Sequence, residues 1–318
     1  MEGLFNQIMT HLSVVVPLFN ESALVKELVK RIIANVKLIT EDFEIILVDD
    51  GSQDTTWDLI GNECKNESRL KGIKFSRNFG HHFAITAGLH NAKGDWIVVM
   101  DGDLQDRPEV IQDLYDKAVS GFDVVFVSRE NRPEKMYYLI LQKLFYTVLN
   151  GTSGITFDSR QANFSIINQK VLAAFKDFPD SARFYGSTIK WLGFKRSSIS
   201  ATHGNRFAGR PSYTFKKRLK LASDIITSFS ERPLNFSIVL GFTAFTLINL
   251  YSFLNLINSK LKYTSTVFTE LEKFSTTVFT FLFGLILLIL GIFGLYMKSI
   301  FLEVKKRPLY IIADSLNI

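Results

Sequence analysis

The sequence predicts an α/β protein with a mainly parallel, doubly wound sheet, followed by two membrane-spanning helices. Short apolar runs alternate with segments of helical spacing across residues 12–130, the order expected of a parallel sheet with crossover helices. No charged residue lies between Arg232 and Lys260 or between Lys273 and Lys298, and each run has the roughly 20 residues that a bilayer crossing needs. Acidic residues directly follow several of the apolar runs, so we expect carboxylates along one edge of the sheet.

Five strands and four helices are predicted within the alternating part of the chain. Apolar runs predict strands at 12–16, 43–48, 70–75, 96–100 and 124–127. Apolar residues at helical spacing predict helices at 23–36, from about 55 with Asp54 as N-cap, at 81–92 and at 108–120. Beyond residue 130 the pattern changes to helical and irregular segments up to about residue 214. The chain has no Gly-x-Gly-x-x-Gly after the first strand and no P-loop motif, so neither of those nucleotide-binding folds is supported.

The C-terminal third predicts attachment to a membrane. A basic cluster, which includes Lys216 and Arg218, precedes apolar residues at helical spacing, as in a helix that lies in the membrane interface. The alternative for the basic segment is a solvated helix of a soluble domain. The alternative for the two apolar runs is a helical hairpin buried in a protein core. We expect three parts: a cytoplasmic catalytic domain at 1–214, an amphipathic interfacial helix at 215–231, and a membrane domain at 232–318 with spans at about 234–257 and 275–297.

Charge and cysteine content exclude several classes of protein. The formal net charge is +6, but the basic residues cluster beside the apolar runs, which favours a membrane surface over a nucleic-acid partner. Basic residues on the terminal flanks of both spans predict that the catalytic domain and both termini are cytoplasmic. Cys64 is the one cysteine, which excludes an internal disulfide and a cysteine-based zinc site. No signal peptide is predicted at the N-terminus.

The fourth predicted strand ends in a run of acids that predicts a metal site. Asp101 and Asp103 flank a glycine, so both carboxylates can turn toward one point and bind a hard divalent cation through oxygen. Mg²⁺ and similar cations are usually bound by one or two carboxylates together with substrate phosphates, so the expected ligand is a metal–diphosphate complex. The alternative is a polar turn in which Asp106 caps a helix that has Pro108 in its first turn.

Three further strand ends point to the same edge of the predicted sheet. Asp49 and Asp50 follow the second strand, where a carboxylate can accept a hydrogen bond from a ribose hydroxyl or a base N–H; the alternative is turn formation. Arg77 follows the third strand and could steer an anionic donor or pair with an acid. The first strand contributes Pro17, Phe19 and Glu21.

Five stretches of the chain resemble glycosyltransferase family 2. Within it the chain is similar to the polyprenyl-phosphate glycosyltransferases, such as bactoprenol glucosyltransferase and dolichol-phosphate mannose synthase. The stretches are Val15-Val16-Pro17 with Asn20-Glu21, Val48-Asp49-Asp50-Gly51-Ser52, Arg77-Asn78-Phe79-Gly80, Ala87-Gly88, and Met100-Asp101-Gly102-Asp103-Leu104-Gln105-Asp106. The similarity resumes in Arg206-Phe207-Ala208-Gly209 and in Ser228-Phe229-Ser230-x-x-Pro233-Leu234.

The resemblance implies a GT-A fold and the inverting transfer of one sugar from a nucleotide diphosphate to a polyprenyl (undecaprenyl) phosphate. It assigns Asp101, Asp103 and Gln105 to Mg²⁺ or Mn²⁺ and the diphosphate, with Asp103 counted among the catalytic residues. It also implies a two-pass protein of the bacterial plasma membrane. The nucleotide-sugar pocket would be lined by Pro17, Phe19, Glu21, Asp49, Asp50 and Arg77.

The lipid phosphate needs charge compensation more than deprotonation, because it is already an anion at neutral pH. An arginine fork suits phosphate oxygens, and the candidates are Arg129, Lys143, Arg206 and Arg210; the resemblance assigns phosphate contacts to Arg129 and Arg206. Asp158 could be a general base, a sugar-hydroxyl acceptor or a turn residue. For the histidines at 81, 82 and 203, helix packing or substrate contact is favoured over metal binding.

One segment that bears on the identity of the transferred sugar differs from the pattern of related proteins. Ala162-Asn163-Phe164-Ser165 stands where relatives have Gly-Asp-Phe-Arg. We expect glucose from UDP-glucose, with mannose from GDP-mannose or an amino sugar as alternatives for the same reaction. A catalytically inactive membrane scaffold is the alternative from another class of protein. The sequence leaves open whether identical chains associate.

Overall fold

The computed structural model describes residues 11–130, 147, 150–151, 161–179, 184–202, 224, 226–227, 230–259 and 265–318. The chain forms two compact units. The first contains a sheet with its flanking helices and also includes the C-terminal segment Arg307–Ile318. The second contains two long apolar helices.

Eight strands form one mixed sheet, in the order β7-β5-β6-β4-β1-β2-β3-β8. Neighbouring strands run parallel in the pairs β1–β2, β1–β4, β2–β3 and β5–β7, which confirms the predicted α/β class with a mainly parallel central sheet. The strands are β1 Leu12–Leu18, β2 Phe43–Asp49, β3 Leu70–Phe75, β4 Trp96–Val99, β5 Val124–Glu130, β6 Gln161–Asn168, β7 Arg196–Thr202 and β8 Ile312–Leu316.

Helices cover both faces of the sheet. In the central strands alternate side chains point to opposite faces, so Val14 and Val16 enter one core layer while Val15 enters the other. Every residue of β1 and β2 is buried, which explains their continuous apolar runs. The helices of this unit are α1 Val25–Val36, α2 Thr56–Asn66, α3 His81–Asn91, α4 Ile111–Val119, α5 Gln169–Lys176 and α6 Tyr185–Trp191.

The predicted helix boundaries differ from the structure by a few residues. The second helix has Thr55 rather than Asp54 at its N-cap, and Asp54 instead accepts a hydrogen bond from the Thr56 backbone N–H at 3.0 Å. A short 3₁₀ turn at Pro108–Val110 precedes α4, and its N-cap is Arg107 rather than Asp106. Helix ends depend on a few local hydrogen bonds, so such shifts are expected.

Two strands occur where the sequence predicts only helical and irregular segments. The β6 strand pairs antiparallel with both β4 and β5, and β7 pairs parallel with β5. Exposed and partly buried residues alternate along β7, because Ile199 and Ala201 pack against the core on one face while the other face is exposed. Its sequence, RSSISAT, therefore lacks the apolar run that marks a buried strand.

The C-terminal segment differs from the prediction that assigned all of 232–318 to the membrane domain. Residues Ile312–Leu316 form β8, which pairs antiparallel with β3 and completes that edge of the sheet. The reason is that β3 presents unpaired backbone groups along its outer side, and β8 satisfies them. The segment therefore belongs to the sheet unit.

The second unit contains the helices α7, Arg232–Ser259, and α8, Ser265–Val304. By length and composition, Arg232–Leu250 (mean hydropathy 1.5) and Phe281–Val304 (mean hydropathy 2.3) could each span a membrane. Most of the apolar side chains described on them are exposed, as in Phe242 and Phe281. Helices of this composition in a soluble core would be buried, so the exposure favours the membrane interpretation over the core hairpin. The predicted interfacial helix at 215–231 lies almost wholly outside the described residues.

Candidate functional site

The loops after β1 and β2 are joined by hydrogen bonds from backbone N–H groups to side-chain oxygens at the carboxyl edge of the sheet. The Asn20 backbone N–H donates to Ser52 Oγ at 2.9 Å, and the Gln53 N–H donates to Asn20 Oδ1 at the same distance. The Glu21 N–H donates to Thr56 Oγ1 at 3.0 Å. The two loops therefore form one ordered surface, as expected where neighbouring parallel strands end together.

The two acids after β2 have different contacts. Asp49 is fully buried, and its Oδ1 accepts the Ser52 N–H at 2.9 Å, which is the turn-forming role considered as the alternative. Its Oδ2 is buried with no hydrogen-bond partner among the described residues. Asp50 is 3% exposed and accepts the backbone N–H groups of Phe79, at 2.7 Å, and Gly80, at 3.0 Å. Asp50 thereby joins the β2 loop to the turn after β3.

Burial raises the pKa of Asp50, although the two backbone N–H donors oppose the shift. A carboxylate that accepts two N–H groups across two loops restricts the positions of both loops. Whether a nucleoside also contacts Asp50 stays a prediction.

Gly51 makes the close approach of these two loops possible. Its φ is +70°, and a Cβ at this position would lie 2.3 Å from the Arg77 carbonyl carbon and 2.6 Å from the Asn78 backbone nitrogen. No side chain fits in that space, and the left-handed conformation favours glycine. The sequence pattern Asp-Asp-Gly-Ser thus includes a residue needed for packing as well as candidates for chemistry.

The loop after β4 carries the predicted metal ligands on a tight, anchored turn. A Cβ on Gly102 would lie 2.3 Å from Leu18 Cδ2 and 3.1 Å from the Pro17 carbonyl oxygen, so a larger residue here would displace the buried Leu18 side chain. Leu104 has a φ of 58°, unusual for a branched apolar residue, and its side chain is 3% exposed. The Gln105 N–H donates to Asp103 Oδ1 at 3.0 Å. Burial of Leu104 offsets the conformational strain and fixes the turn that presents both acids.

His81, at the start of α3, connects the metal-binding candidates to β6. Its Nε2 lies 3.2 Å from Asp101 Oδ1 and 3.3 Å from Asn163 Nδ2. Burial alone would lower the pKa of His81, but the carboxylates of Asp101, Asp50 and Asp103 outweigh it and raise the pKa. These three acids therefore share one electrostatic environment, although they come from two different loops.

The other sequence-predicted residues occupy varied positions around this edge. Pro17 is buried within β1 opposite Val48, whereas Phe19 is 43% exposed. The exposed Arg77 has its guanidinium carbon 4.0 Å from the Phe79 ring centroid and donates to the Asn78 carbonyl. His82 has a pKa of about 3, because burial and the nearby His81 both disfavour its charged form, as expected for a packing residue.

Five residues predicted for phosphate contact or for a role as base or sugar-hydroxyl acceptor have side chains outside the described part of the chain. Lys143, Asp158, Arg206 and Arg210 lie outside the described residues. Arg129 lies in β5, adjacent to Ala201 of β7, but its side chain is also outside the description. Their roles stay predictions.

The acids at 101 and 103 fit a divalent cation that shares its coordination with a substrate. Within the described residues no group of three or more His, Cys, Asp or Glu side chains could bind a metal ion by itself. Two carboxylates on one anchored turn are the donor set typical of a cation completed by substrate phosphates. His81 beside Asp101 resembles the outer partners that orient metal-binding carboxylates.

Sequence reasoning missed the part that Asn163 and the C-terminal segment have in this region. Asn163 lies in β6, far along the chain from α3, yet it contacts His81. The departure at 162–165 marked this segment as unusual, but it gave no indication of the contact. The short apolar run Tyr310-Ile311-Ile312-Ala313, which contains an aromatic and two β-branched residues, is the signal that could have indicated the last strand.

Comparisons with known proteins agree with the sequence resemblance. The chain is 36% identical over 312 residues to the uncharacterised glycosyltransferase YkcC of Bacillus subtilis (strain 168), covering 96% of this chain and 94% of the relative. It is 29% identical to an undecaprenyl-phosphate 4-deoxy-4-formamido-L-arabinose transferase of Aeromonas hydrophila, covering 94% of this chain and 92% of the relative.

Solved structures show the same fold at low sequence identity. Glucosyl-3-phosphoglycerate synthase from Mycobacterium tuberculosis, in complex with phosphoglyceric acid, superposes with a TM-score of 0.51 at 18% identity, covering 70% of this chain and 80% of that one. The chain therefore has the GT-A fold, as the resemblance implied. Residues 13–176 match the family described as glycosyl transferase family 2. The chain is a member of glycosyltransferase family 2.

Proposed function

We propose that this protein transfers a single sugar from a nucleotide diphosphate to a polyprenyl phosphate at the membrane. The observation that carries the proposal is the anchored turn with Asp101 and Asp103 at the carboxyl edge of the sheet, in a chain that also has two exposed apolar helices. The relative from Aeromonas hydrophila, whose name specifies undecaprenyl phosphate, supports the lipid acceptor, since the match extends over both the sheet and the apolar helices.

The donor end of the reaction would use the turn after β4. Asp101 and Asp103 would bind Mg²⁺ or Mn²⁺, which stabilises the negative charge that develops on the departing diphosphate. Leu104 anchors the turn, so the two carboxylates need little reorganisation during the reaction. Asp49, whose Oδ2 lacks a hydrogen-bond partner among the described residues, is the acceptor we propose for a donor group of the nucleoside.

The lipid-phosphate side of the reaction would rely on cationic side chains more than on a general base. A lipid phosphate is already an anion at neutral pH, so its oxygen can attack the anomeric carbon once its charge is compensated and its direction fixed. We propose Arg129, Lys143, Arg206 and Arg210 for this compensation, with Asp158 as a sugar-hydroxyl acceptor or base.

The strand β8 supports a two-pass topology with both ends of the chain on the same side. The chain leaves the sheet unit, forms α7 and α8, and returns to pair with β3. An even number of membrane crossings is required for the return. We propose a cytoplasmic catalytic domain, an interfacial helix at 215–231 and two spans, because the basic residues flank the terminal ends of the apolar runs.

The test is nucleoside diphosphate release by the purified full-length protein with undecaprenyl phosphate and Mn²⁺ or Mg²⁺. UDP-glucose, UDP-N-acetylglucosamine, GDP-mannose and a UDP-aminoarabinose are offered singly and in competition. We expect turnover with UDP-glucose, and its loss both in EDTA and in Asp103→Asn. Asp116→Asn, on the exposed face of α4, is the matched control and should retain wild-type turnover.

Three outcomes would reject or change a different part of the proposal. Release from none of the donors would reject the transferase activity and favour the scaffold alternative. Turnover with an amino sugar alone would retain the reaction and replace the donor, a choice that the transferase from Aeromonas hydrophila favours. Full activity of Asp103→Asn would reject the metal assignment.

A further inference from the structure

The C-terminal segment 310–317 packs beside the carboxyl end of β3, next to the proposed nucleotide site. The proposed transfer reaction does not by itself explain these contacts. The Tyr310 ring stacks on Phe75, the last residue of β3, with centroids 4.9 Å apart and planes 14° apart. The Tyr310 hydroxyl lies 3.1 Å from Nδ1 of His90 in α3. A residue beyond the membrane helices thus bridges a strand and a helix of the catalytic domain.

The segment is fixed at both ends. After β8, Asn317 Nδ2 donates to the carbonyl oxygens of Cys64 at 3.0 Å and Leu70 at 2.8 Å, which ties the chain end to α2 and to the start of β3. Before β8, the Ile311 carbonyl accepts the Ser76 N–H at 3.0 Å, one residue past the end of β3. The segment therefore pairs with β3 and with the first residue of the turn that follows it.

That turn is the one that Asp50 joins to the β2 loop. Phe75 contacts the Phe79 ring edge-on, with centroids 5.6 Å apart, so Tyr310 and Phe79 pack on the same aromatic side chain. The Phe79 N–H in turn donates to Asp50 Oδ1 at 2.7 Å. A continuous set of contacts thus extends from Tyr310 through Phe75 and Phe79 to Asp50.

We propose that Tyr310 is a positioning residue for nucleotide binding, and that docking of residues 310–317 orders the turn 76–80. The inference rests on the proposed function, since it takes the loops at Asp50 and Arg77 as the nucleotide site. Without the docked segment, the Ser76 N–H loses the Ile311 carbonyl as acceptor and Phe75 loses the stacked Tyr310 ring. The turn would then sample open conformations that present Asp50 and Arg77 incorrectly.

Two variants of the whole chain separate the effect of the Tyr310 aromatic ring from that of its hydroxyl group. Tyr310→Leu keeps an apolar side chain but removes the stacked ring, and Tyr310→Phe removes only the hydroxyl near His90. The matched control is Asp314→Ala on β8, because the Asp314 side chain is exposed and accepts only the N–H of Ser315 next to it among the bonds described. An aromatic pair of this kind corresponds to about a two- to tenfold change in an equilibrium constant.

The first measurement is hydrogen–deuterium exchange in the absence of ligand. We expect the amides of residues 76–80 to exchange about two- to tenfold faster in Tyr310→Leu than in the wild type or in Asp314→Ala. Unchanged exchange there would overturn the inference whatever the enzyme's activity. This readout does not depend on the proposed function.

The second measurement is binding of UDP with Mn²⁺, together with the kcat and KM for the donor sugar. We expect Tyr310→Leu to raise the UDP dissociation constant and the donor KM about two- to tenfold while kcat changes less than about twofold. A lower kcat at unchanged KM would indicate a merely structural role and overturn the inference. If the wild type binds no nucleotide, the proposed function fails and the binding role of Tyr310 fails with it, whatever the exchange result.

Discussion

Replacing Gly51 by alanine tests whether the proposed nucleotide site depends on the close contact between the loop after β2 and the turn after β3. Alanine at a φ of +70° costs about 1 kcal/mol or more, because its Cβ crowds the backbone in the left-handed region. That Cβ would also lie 2.3 Å from the Arg77 carbonyl carbon, so the turn after β3 must withdraw by about 1 Å to reach ordinary contact distance.

The withdrawal would weaken the hydrogen bonds that Asp50 accepts across the gap. The Phe79 N–H donates at 2.7 Å and the Gly80 N–H at 3.0 Å, and a hydrogen bond to a charged group contributes about 1.5–3 kcal/mol. Losing one of them in addition to the backbone strain lowers the free energy of unfolding of the sheet unit by about 2.5–4 kcal/mol. For a unit of this size the melting temperature falls by roughly 5–15 °C.

The assay compares thermal melting and UDP binding of Gly51→Ala with those of the wild type. Gly61→Ala is the control, because its Cβ would meet Leu316 Cδ1 at 3.8 Å and it lies inside α2, where alanine stabilises by up to about 1 kcal/mol. We expect Gly51→Ala to lose both stability and UDP affinity while Gly61→Ala retains both. Wild-type melting and binding in Gly51→Ala would refute the reasoning.

Three other changes give distinct outcomes. Glu44 is buried and accepts hydrogen bonds from Lys71 and Ser13. Burial would raise the pKa of Glu44, but these bonds lower it below 4.5. The Glu44 carboxylate therefore contributes to the free energy of unfolding above pH 4.5, and this contribution is lost as the pH falls through the lowered pKa. Glu44→Gln should lower the free energy of unfolding at pH 7 by about 3 kcal/mol. When the melting temperature is measured at several pH values, it should fall less between neutral and acidic pH in this variant than in the wild type. Leu104→Ala should cost about 2–5 kcal/mol and raise the Mn²⁺ concentration for half-maximal turnover, measured by metal titration. Cys64, whose pKa burial raises to about 11, should resist iodoacetamide at pH 8 until the sheet unit unfolds, as followed by mass spectrometry.

The central strands could be predicted because burial on both faces imposes a uniform requirement along each strand. The β1 and β2 sequences are therefore continuous apolar runs, and the predicted starts at residues 12 and 43 agree with the structure. The acids at 101 and 103 could be placed at the sheet edge because parallel strands end together. No such uniform pattern marks β7, which is an edge strand.

The contacts within the candidate site could not be predicted, because they join residues that are distant along the chain. His81 meets Asn163 across 82 positions, and His90 meets Tyr310 across 220. Neither pair belongs to a periodic pattern, and the motif residues alone do not show that Asp50 bonds the turn after β3. Only the pairing of strands brings these side chains together.

The sequence by itself determined the α/β class, the positions of the central strands along the chain, the family and the two apolar helices. These properties depend on local periodicity, on the length of apolar runs and on motifs that are read within a few residues. The tertiary structure decided that the C-terminal residues return to β3, that Asp50 joins two loops, and that Asp101 has His81 beside it. The physical reason is that backbone pairing at a sheet edge and hydrogen bonding of buried charges depend on which chain segments become neighbours.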